Sequence, residues 1–230
     1  MFRSPADLGF DASQYALEPL GMHQHIIEAT EVPEGLLFAV EAQTLIERNR
    51  ARKASTADRA ERAAAIVNAE PDESWIVWCD LNAEADAVQR LIPGAVQVAG
   101  SDPSDVKEQR LRDFSEGRAR VMVSKPSIAG YGMNWQHCAR VVFVGLSDSW
   151  EAYFQAIRRC WRFGQTRRVE CHVVISSAEG AVLANIERKE REASKMLDAM
   201  VRQSQIHSTV KRGRTVVASG QPMRVPAWAA

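Results

Sequence analysis

The sequence has no long apolar run, no paired cysteines and no excess of either charge. No stretch approaches the ~20 apolar residues of a membrane-spanning helix, and the start M-F-R-S-P-A-D-L-G lacks the apolar core of a secretory leader. The four cysteines, Cys79, Cys138, Cys160 and Cys171, lie far apart with no C-x-x-C pair. That spacing argues against a zinc site and a disulfide framework and fits a reducing, cytoplasmic setting. Lys plus Arg total 29, as do Asp plus Glu, so no whole-chain field steers the protein to nucleic acid or lipid. Any such contact must be a local patch. There is also no G-x-x-x-x-G-K-[ST] loop to wrap phosphates and place magnesium, and no D-E-x-H box behind a strand. Asp72-Glu73 stand before a strand, on the wrong side.

What is present suits a folded domain. Of the 230 residues, 46% are hydrophobic and 25% charged, enough for the core of one large α/β domain or a medium one with appendages. From Ser74 onward strands and helices alternate. W-I-V-W-C (75–79) reads as a strand, and N-A-E-A-D-A-V-Q-R-L-I (82–92) as a helix capped by Asn82 and stopped at Pro93-Gly94. A-V-Q-V-A (95–99) is a second strand. Asp102-Pro103 then opens a helix that stops at Gly117, with Asp as N-cap and Pro at its first position. V-M-V-S (121–124) and R-V-V-F-V-G (140–145) are further strands, followed by a helix over 149–163, a strand over 169–175 and a long helix over about 179–203. Val- and Ile-rich strands alternating with helices predict a doubly wound parallel sheet with helices on both faces. Ligands of such sheets gather at the carboxyl ends of the strands.

The first 73 residues read as an extension or connector, the last 27 as a loosely held tail. M-H-Q-H-I-I-E-A (22–29) is strand-like, with His23 and His25 on one face but no third metal ligand beside them, and L-L-F-A (36–39) is a second short strand. Residues 41–69 are helical with a break near Ser55, where S-T-A-D forms a capping box. Arg48, Arg50, Arg52, Lys53, Arg59 and Arg62 make this stretch basic, suited to DNA phosphates or to pairing with its own glutamates. Trp75, Trp78 and Trp135 are stacking candidates, though Trp75 and Trp78 point to opposite strand faces and suit a core.

The segment Q-A-I-R-R-C-W-R-F-G-Q (155–165) sets arginines among apolar residues. On a helix, Phe154, Ile157 and Trp161 form an anchoring stripe, while Gln155, Arg159 and Arg162 fall a third of a turn away and Gly164 ends the helix. Arginine keeps its charge and carries a planar fork matched to phosphate oxygens. Upstream, S-K-P-S-I-A-G-Y-G-M-N-W-Q (124–136) leaves a strand with two glycines and an asparagine. Gly130 and Gly132 permit positive φ or close backbone approach, and Asn134 can hydrogen-bond a sugar or phosphate.

Together, G-x-G-x-N, a strand, then Q-A-x-x-R-x-x-R-x-G-Q resembles the second RecA-like lobe of superfamily 2 helicases, nearest the Swi/Snf-type group and its phage relatives. The resemblance covers about residues 74–200. It implies that Arg162 is an arginine finger for the ATP γ-phosphate, that Arg159 is its partner, and that Gln155 orients the segment near the interlobe cleft. It further implies that Gly130, Gly132 and Asn134 couple nucleotide to DNA, and that Gly100, Ser101 and Ser124 or Lys125 touch the nucleic-acid backbone. Mg2+-ATP would be held mainly by a Walker-bearing first lobe, supplied in cis or in trans. Three departures stand out: Arg158 replaces the family's usual acidic residue, K-P-S-I-A replaces a small-residue run, and S-D-S-W-E (147–151) is a shortened connection. The resemblance therefore implies the C-terminal motor lobe of a DNA helicase or translocase, inactive alone. The alternative is a non-catalytic DNA-binding or interaction module descended from such a lobe.

Overall fold

The structure, a computed structural model, describes residues 17–28, 52–130 and 132–208. The chain divides into two compact units. Ser13–Ala193 form one; the other comprises Met1–Ala12 and Ser194–Ala230, whose described residues are helical. The expected strand at 36–39, Arg48, Arg50 and the basic tail fall outside the described residues.

The elements are β1 (Gly21–Ile27), α1 (Thr56–Asn68), β2 (Trp75–Cys79), α2 (Asn82–Leu91), β3 (Val96–Val98), α3 (Ser104–Ser115), β4 (Val121–Ser124), α4 (Pro126–Ala129), β5 (Arg140–Val144), α5 (Trp150–Ile157), β6 (Glu170–Ser176) and α6 (Gly180–Ser208). The strands form one parallel sheet ordered β1-β6-β5-β2-β4-β3. Central β2 is buried at every position, as a parallel strand covered on both faces must be. Its alternating side chains feed two cores. Trp75 and Val77 pack with Ala60, Ala63 and Val88 of α1 and α2, whereas Ile76 and Trp78 pack with Phe114, Ala156 and Ile157. Trp75, Trp78 and Trp135 have no exposed surface, so they fill the core and cannot stack on a base. All four cysteines are buried free thiols, and burial pushes the Cys171 thiol up to about 12. Among the described residues no helix is long and apolar enough to cross a membrane.

Three expected caps are not made: Asn82 is the first residue of α2, behind Leu81, and the other two take other roles. Asp102 does not cap α3, which opens one residue later behind Pro103. Its carboxylate instead accepts from the Ala99 N–H at 2.7 Å and from Arg110 at 2.8 Å. Ser55 makes no side-chain cap to α1, because its hydroxyl accepts from Arg59 Nε at 3.0 Å.

That arginine belongs to a buried charge network above the carboxyl ends of β2, β5 and β6. Arg59, fully buried, donates to Glu84 Oε1 at 2.7 Å and to the Arg52 carbonyl at 2.6 Å. Arg52 pairs with Asp80 at 2.8 Å and Glu179 at 3.2 Å and donates to the Leu146 carbonyl at 2.6 Å. Glu84 accepts from the Asp80 and Leu81 N–H groups, both at 2.9 Å, at the start of α2, and Glu179 from the Ser176 N–H at 3.0 Å. Gly145, at φ 75°, is required here: a Cβ would sit 2.5 Å from Arg59 Nη1. Arg52 and Arg59 are thus committed to their own carboxylates rather than to phosphate.

The segment expected as an N-terminal extension contributes β1 to the sheet edge, in register with β6 from Gly21↔Glu170 to Ile27↔Ser176. Cross-strand pairing brings His172 between His23 and His25, with ring centroids at 4.6 and 5.3 Å. His25 Nε2 meets His172 Nδ1 at 3.0 Å, and His23 meets Glu170 at 2.8 Å. Among the described residues no group of His, Cys, Asp or Glu is arranged to hold a metal. Burial, then the neighbouring His23 and His25, pushes His172 down to about 4; burial, then Arg62, lowers His25.

Two outcomes follow. A histidine that resists protonation when folded destabilises the fold once the unfolded chain takes up the proton. Stability measured by urea unfolding should therefore fall as pH drops from about 6.5 towards 4 and then level off, and His172→Gln should flatten that slope. Arg59→Ala removes the 2.7 Å partner of buried Glu84, leaving it only Arg52 at 3.9 Å, and should cost about 3–5 kcal/mol by the same assay.

Candidate functional site

The arginine segment departs from its expected helix. Ser149 caps α5, accepting from the Ala152 N–H at 3.2 Å, but the helix stops at Ile157 instead of 163. The carbonyl of Arg159, which a continuing helix would use, instead accepts the Trp135 N–H at 2.9 Å. Residues 158–165 form successive tight turns, with Arg162 O accepting from Gln165 N at 3.0 Å and Gly164 at φ 90°. The buried anchor shifts accordingly. Tyr153, Ala156 and Ile157 face the core, and Tyr153 packs on Phe143 at 4.8 Å. Phe154 and Trp161 remain partly exposed.

Arg159 acts as a strut. Its guanidinium donates to the Met133 carbonyl at 3.0 Å, the Gln155 carbonyl at 3.0 Å and Gln155 Oε1 at 3.2 Å. Sequence reasoning missed a second latch. Gln165 is buried, and its amide donates to the carbonyls of Gln136, Cys138 and Cys160 at 2.9, 3.1 and 3.3 Å while accepting from the Arg167 N–H at 3.0 Å. Gln136 donates to the Phe163 carbonyl, and a Cβ on Gly164 would meet its amide at 2.6 Å. The only signal in the sequence was the Gly-Gln pair itself. The loop 132–139 and the turn 158–165 are therefore tied by backbone and side-chain bonds at both ends.

The two loop glycines act differently. Gly130 has φ −75°, and its need is space, since a Cβ would lie 2.2 Å from the Pro126 carbonyl oxygen. Gly132 takes φ 78° with nothing nearby. Asn134 is exposed, 3.5 Å from Gln136 Oε1.

The turn concentrates positive charge. Burial, then Arg162 and Arg159, lowers the Arg158 guanidinium; burial, then Arg162, lowers Arg159. Among the described residues no carboxylate pairs with Arg158, Arg159 or Arg162. By contrast, nearby Arg140, Arg167 and Arg168 are each matched with Glu70, Glu73 and Glu170. Unmatched guanidiniums held by a braced turn form an anion-accepting surface.

The candidate residues separate into two groups. The turn 158–165 feeds β6 and the loop 132–139 feeds β5, so Arg158, Arg159, Arg162 and Asn134 lie towards the amino ends of the strands. Gly100, Ser101 and Lys125 follow β3 and β4 and lie at the carboxyl ends. There Gly100 and Ser101 are exposed and Lys125 is partly exposed. Ser124 is buried, its hydroxyl donating to the Val98 carbonyl at 2.9 Å, so it joins β4 to β3 and does not reach the surface.

Gln165→Ala strips the carbonyls of Gln136, Cys138 and Cys160 of the amide group whose two N–H bonds they share. It should cost about 1–3 kcal/mol and speed amide hydrogen exchange across 160–167 more than in β2.

Comparison with known proteins bears on the fold. Residues 58–164 match the model of the helicase conserved C-terminal domain, which takes in Arg159, Arg162 and Gly164. No match was found among curated proteins. Dbp5 from S. cerevisiae, solved with RNA and ADP BeF3, superposes with a TM-score of 0.55 at 14% identity over 74% of this chain and 38% of that one. A DEAD box protein from the hyperthermophile Methanococcus jannaschii gives 0.51 at 18% identity, over 58% and 37%. The C-terminal part of the Fun30 ATPase domain gives 0.49 at 16%, over 57% and 45%. The chain spans less than half the length of each of these solved chains. The sheet, with its helices on both faces, has the RecA-like fold of Dbp5, and residues 58–164, just under half of the chain, are similar to the helicase conserved C-terminal domain.

Proposed function

We propose that this lobe is the C-terminal motor half of an ATP-dependent helicase or translocase acting on DNA, with Arg162 as its arginine finger. The observation that carries the reading is the braced turn at 158–165, where Arg162 projects a guanidinium that no carboxylate of the described residues neutralises. Mg2+-ATP, held by a Walker-bearing first lobe, would supply the phosphoryl bond. The residues here fit only one side of it: they offer cationic donors for the γ-phosphate and no loop to wrap the remaining phosphates.

Each residue then has a distinct task. Arg162 donates to the charge that develops on the γ-phosphate oxygens, where a fixed cation stabilises the transition state most. Arg159 positions it, since its own N–H groups are engaged by Met133 and Gln155. Gly132 and Asn134 sit on the loop bonded to the same turn, so movement at the nucleotide edge is passed to the segment following β4. Gly100, Ser101 and Lys125 at the opposite edge receive the nucleic-acid backbone, contacting phosphate without reading sequence. Separation of the two edges across one rigid sheet lets closure on nucleotide become displacement along a strand.

The test is ATPase activity of this chain mixed with a Walker-bearing first lobe, with and without DNA. The pair should be stimulated by DNA, and Arg162→Ala should lower kcat by about a thousandfold. An unchanged kcat would remove the finger assignment. Hydrolysis by neither the mixture nor a covalent fusion, with DNA binding retained, would favour the non-catalytic module.

A further inference from the structure

The departure at Arg158 offers a site beyond the finger itself. Arg158 is half-buried between two aromatic faces, its guanidinium carbon 5.4 Å from the Trp161 ring centroid and 6.0 Å from that of Phe154. Both rings are themselves held. Trp161 donates its indole N–H to the Glu18 carbonyl at 2.9 Å, and Phe154 stacks on Trp150 at 5.1 Å. Stacking uses the face of the guanidinium and leaves its edge, so none of the N–H donors of Arg158 is consumed by an acceptor among the described residues. A surface arginine loses rotamer freedom when it grips a ligand; one already clamped loses less.

Arg159 is the post of this arrangement, and Arg158 and Arg162 are its open forks. A solvated arginine in an ordinary helix face would have a carboxylate within reach, as Arg112 has Glu108 at 2.6 Å and Arg188 has Glu192 at 2.8 Å. Here the preceding residue is a third arginine where an acid would have neutralised one of the other two.

We propose that Arg158 is a second phosphate-contacting guanidinium, which together with Arg162 gives this lobe an affinity of its own for a polyphosphate chain. The inference rests on the arginine edge being the nucleotide side of the lobe. It goes further in predicting a polyanion site that works without a first lobe. Two guanidiniums flanking Arg159 in the chain offer two donor forks to successive phosphate groups, whereas a single finger offers one.

Titration calorimetry of the chain with inorganic tripolyphosphate at low salt tests it. The wild type should bind, Arg158→Ala and Arg162→Ala should each weaken binding about tenfold, and Arg158→Lys, which keeps the charge but loses the planar stacked fork, should weaken it at least threefold. Arg112→Ala, which removes an arginine already paired with Glu108, should change it less than twofold. The proposal is overturned if the wild type does not bind at millimolar tripolyphosphate, if Arg158→Ala or Arg158→Lys binds like wild type, or if Arg112→Ala is equally damaging. Arg158 lies at the surface, and unchanged thermal unfolding of the Lys variant confirms that its fold is intact. These outcomes are separable from the finger assignment, because a wild-type chain that ignores tripolyphosphate can still lose ATPase activity in the reconstituted pair on Arg162→Ala.

Discussion

One hydrogen bond organises the arginine edge of this lobe: the Trp135 N–H donating to the Arg159 carbonyl. In a longer helix the Phe163 N–H would approach that carbonyl; here the Trp135 N–H does. The helix gives way earlier, where Arg159 N turns to Ala156 O and Cys160 N to Ile157 O, and the chain goes on in tight turns. Arg158 and Arg162 then leave the helix surface. Gln165 and Gly164 become necessary, since the turns expose backbone carbonyls that only a buried amide donor can satisfy at this depth.

The same logic appears, with charge in place of amides, at the other end of the sheet. At the carboxyl edge, beside β2, β5 and β6, Arg52 and Arg59 pair with Glu84 and Glu179. The two carboxylates bind the N–H groups that open α2 and the turn after β6, and the two arginines neutralise the carboxylates. With both arginines paired to carboxylates of the fold, the cluster has little net charge to offer a ligand. Gly100 and Ser101 are exposed and Lys125 is partly exposed at these strand ends, while the arginine turn retains charge that no carboxylate of the described residues satisfies. This contrast between closed and open arginines is what distinguishes scaffold from candidate site.

Much of this was legible beforehand. Runs such as W-I-V-W-C and V-M-V-S have to be buried on both faces, and the sheet that contains them follows from their alternation with helices. The opposite facing of Trp75 and Trp78 follows from the two-residue strand period alone. Caps were less legible, because Asp102 and Ser55 each had two possible partners and the long-range one won. An arginine several residues away competes for the same oxygen, and local pattern does not register it.

The sequence by itself determined the parallel α/β class, the order of its strands along the chain and the identity of the arginines, because periodicity and residue chemistry are local properties. Tertiary structure decided that β1 joins the sheet beside β6, that His172 lands between His23 and His25, that Ser124 faces inward, and which arginines have carboxylates. Each of those depends on pairing between residues far apart in the chain, where distance in sequence carries no information about distance in space. The helix expected through Arg162 ends at Ile157 for the same reason: the turns that follow are braced by Trp135 and Gln136, far away in the chain, which the local pattern does not register.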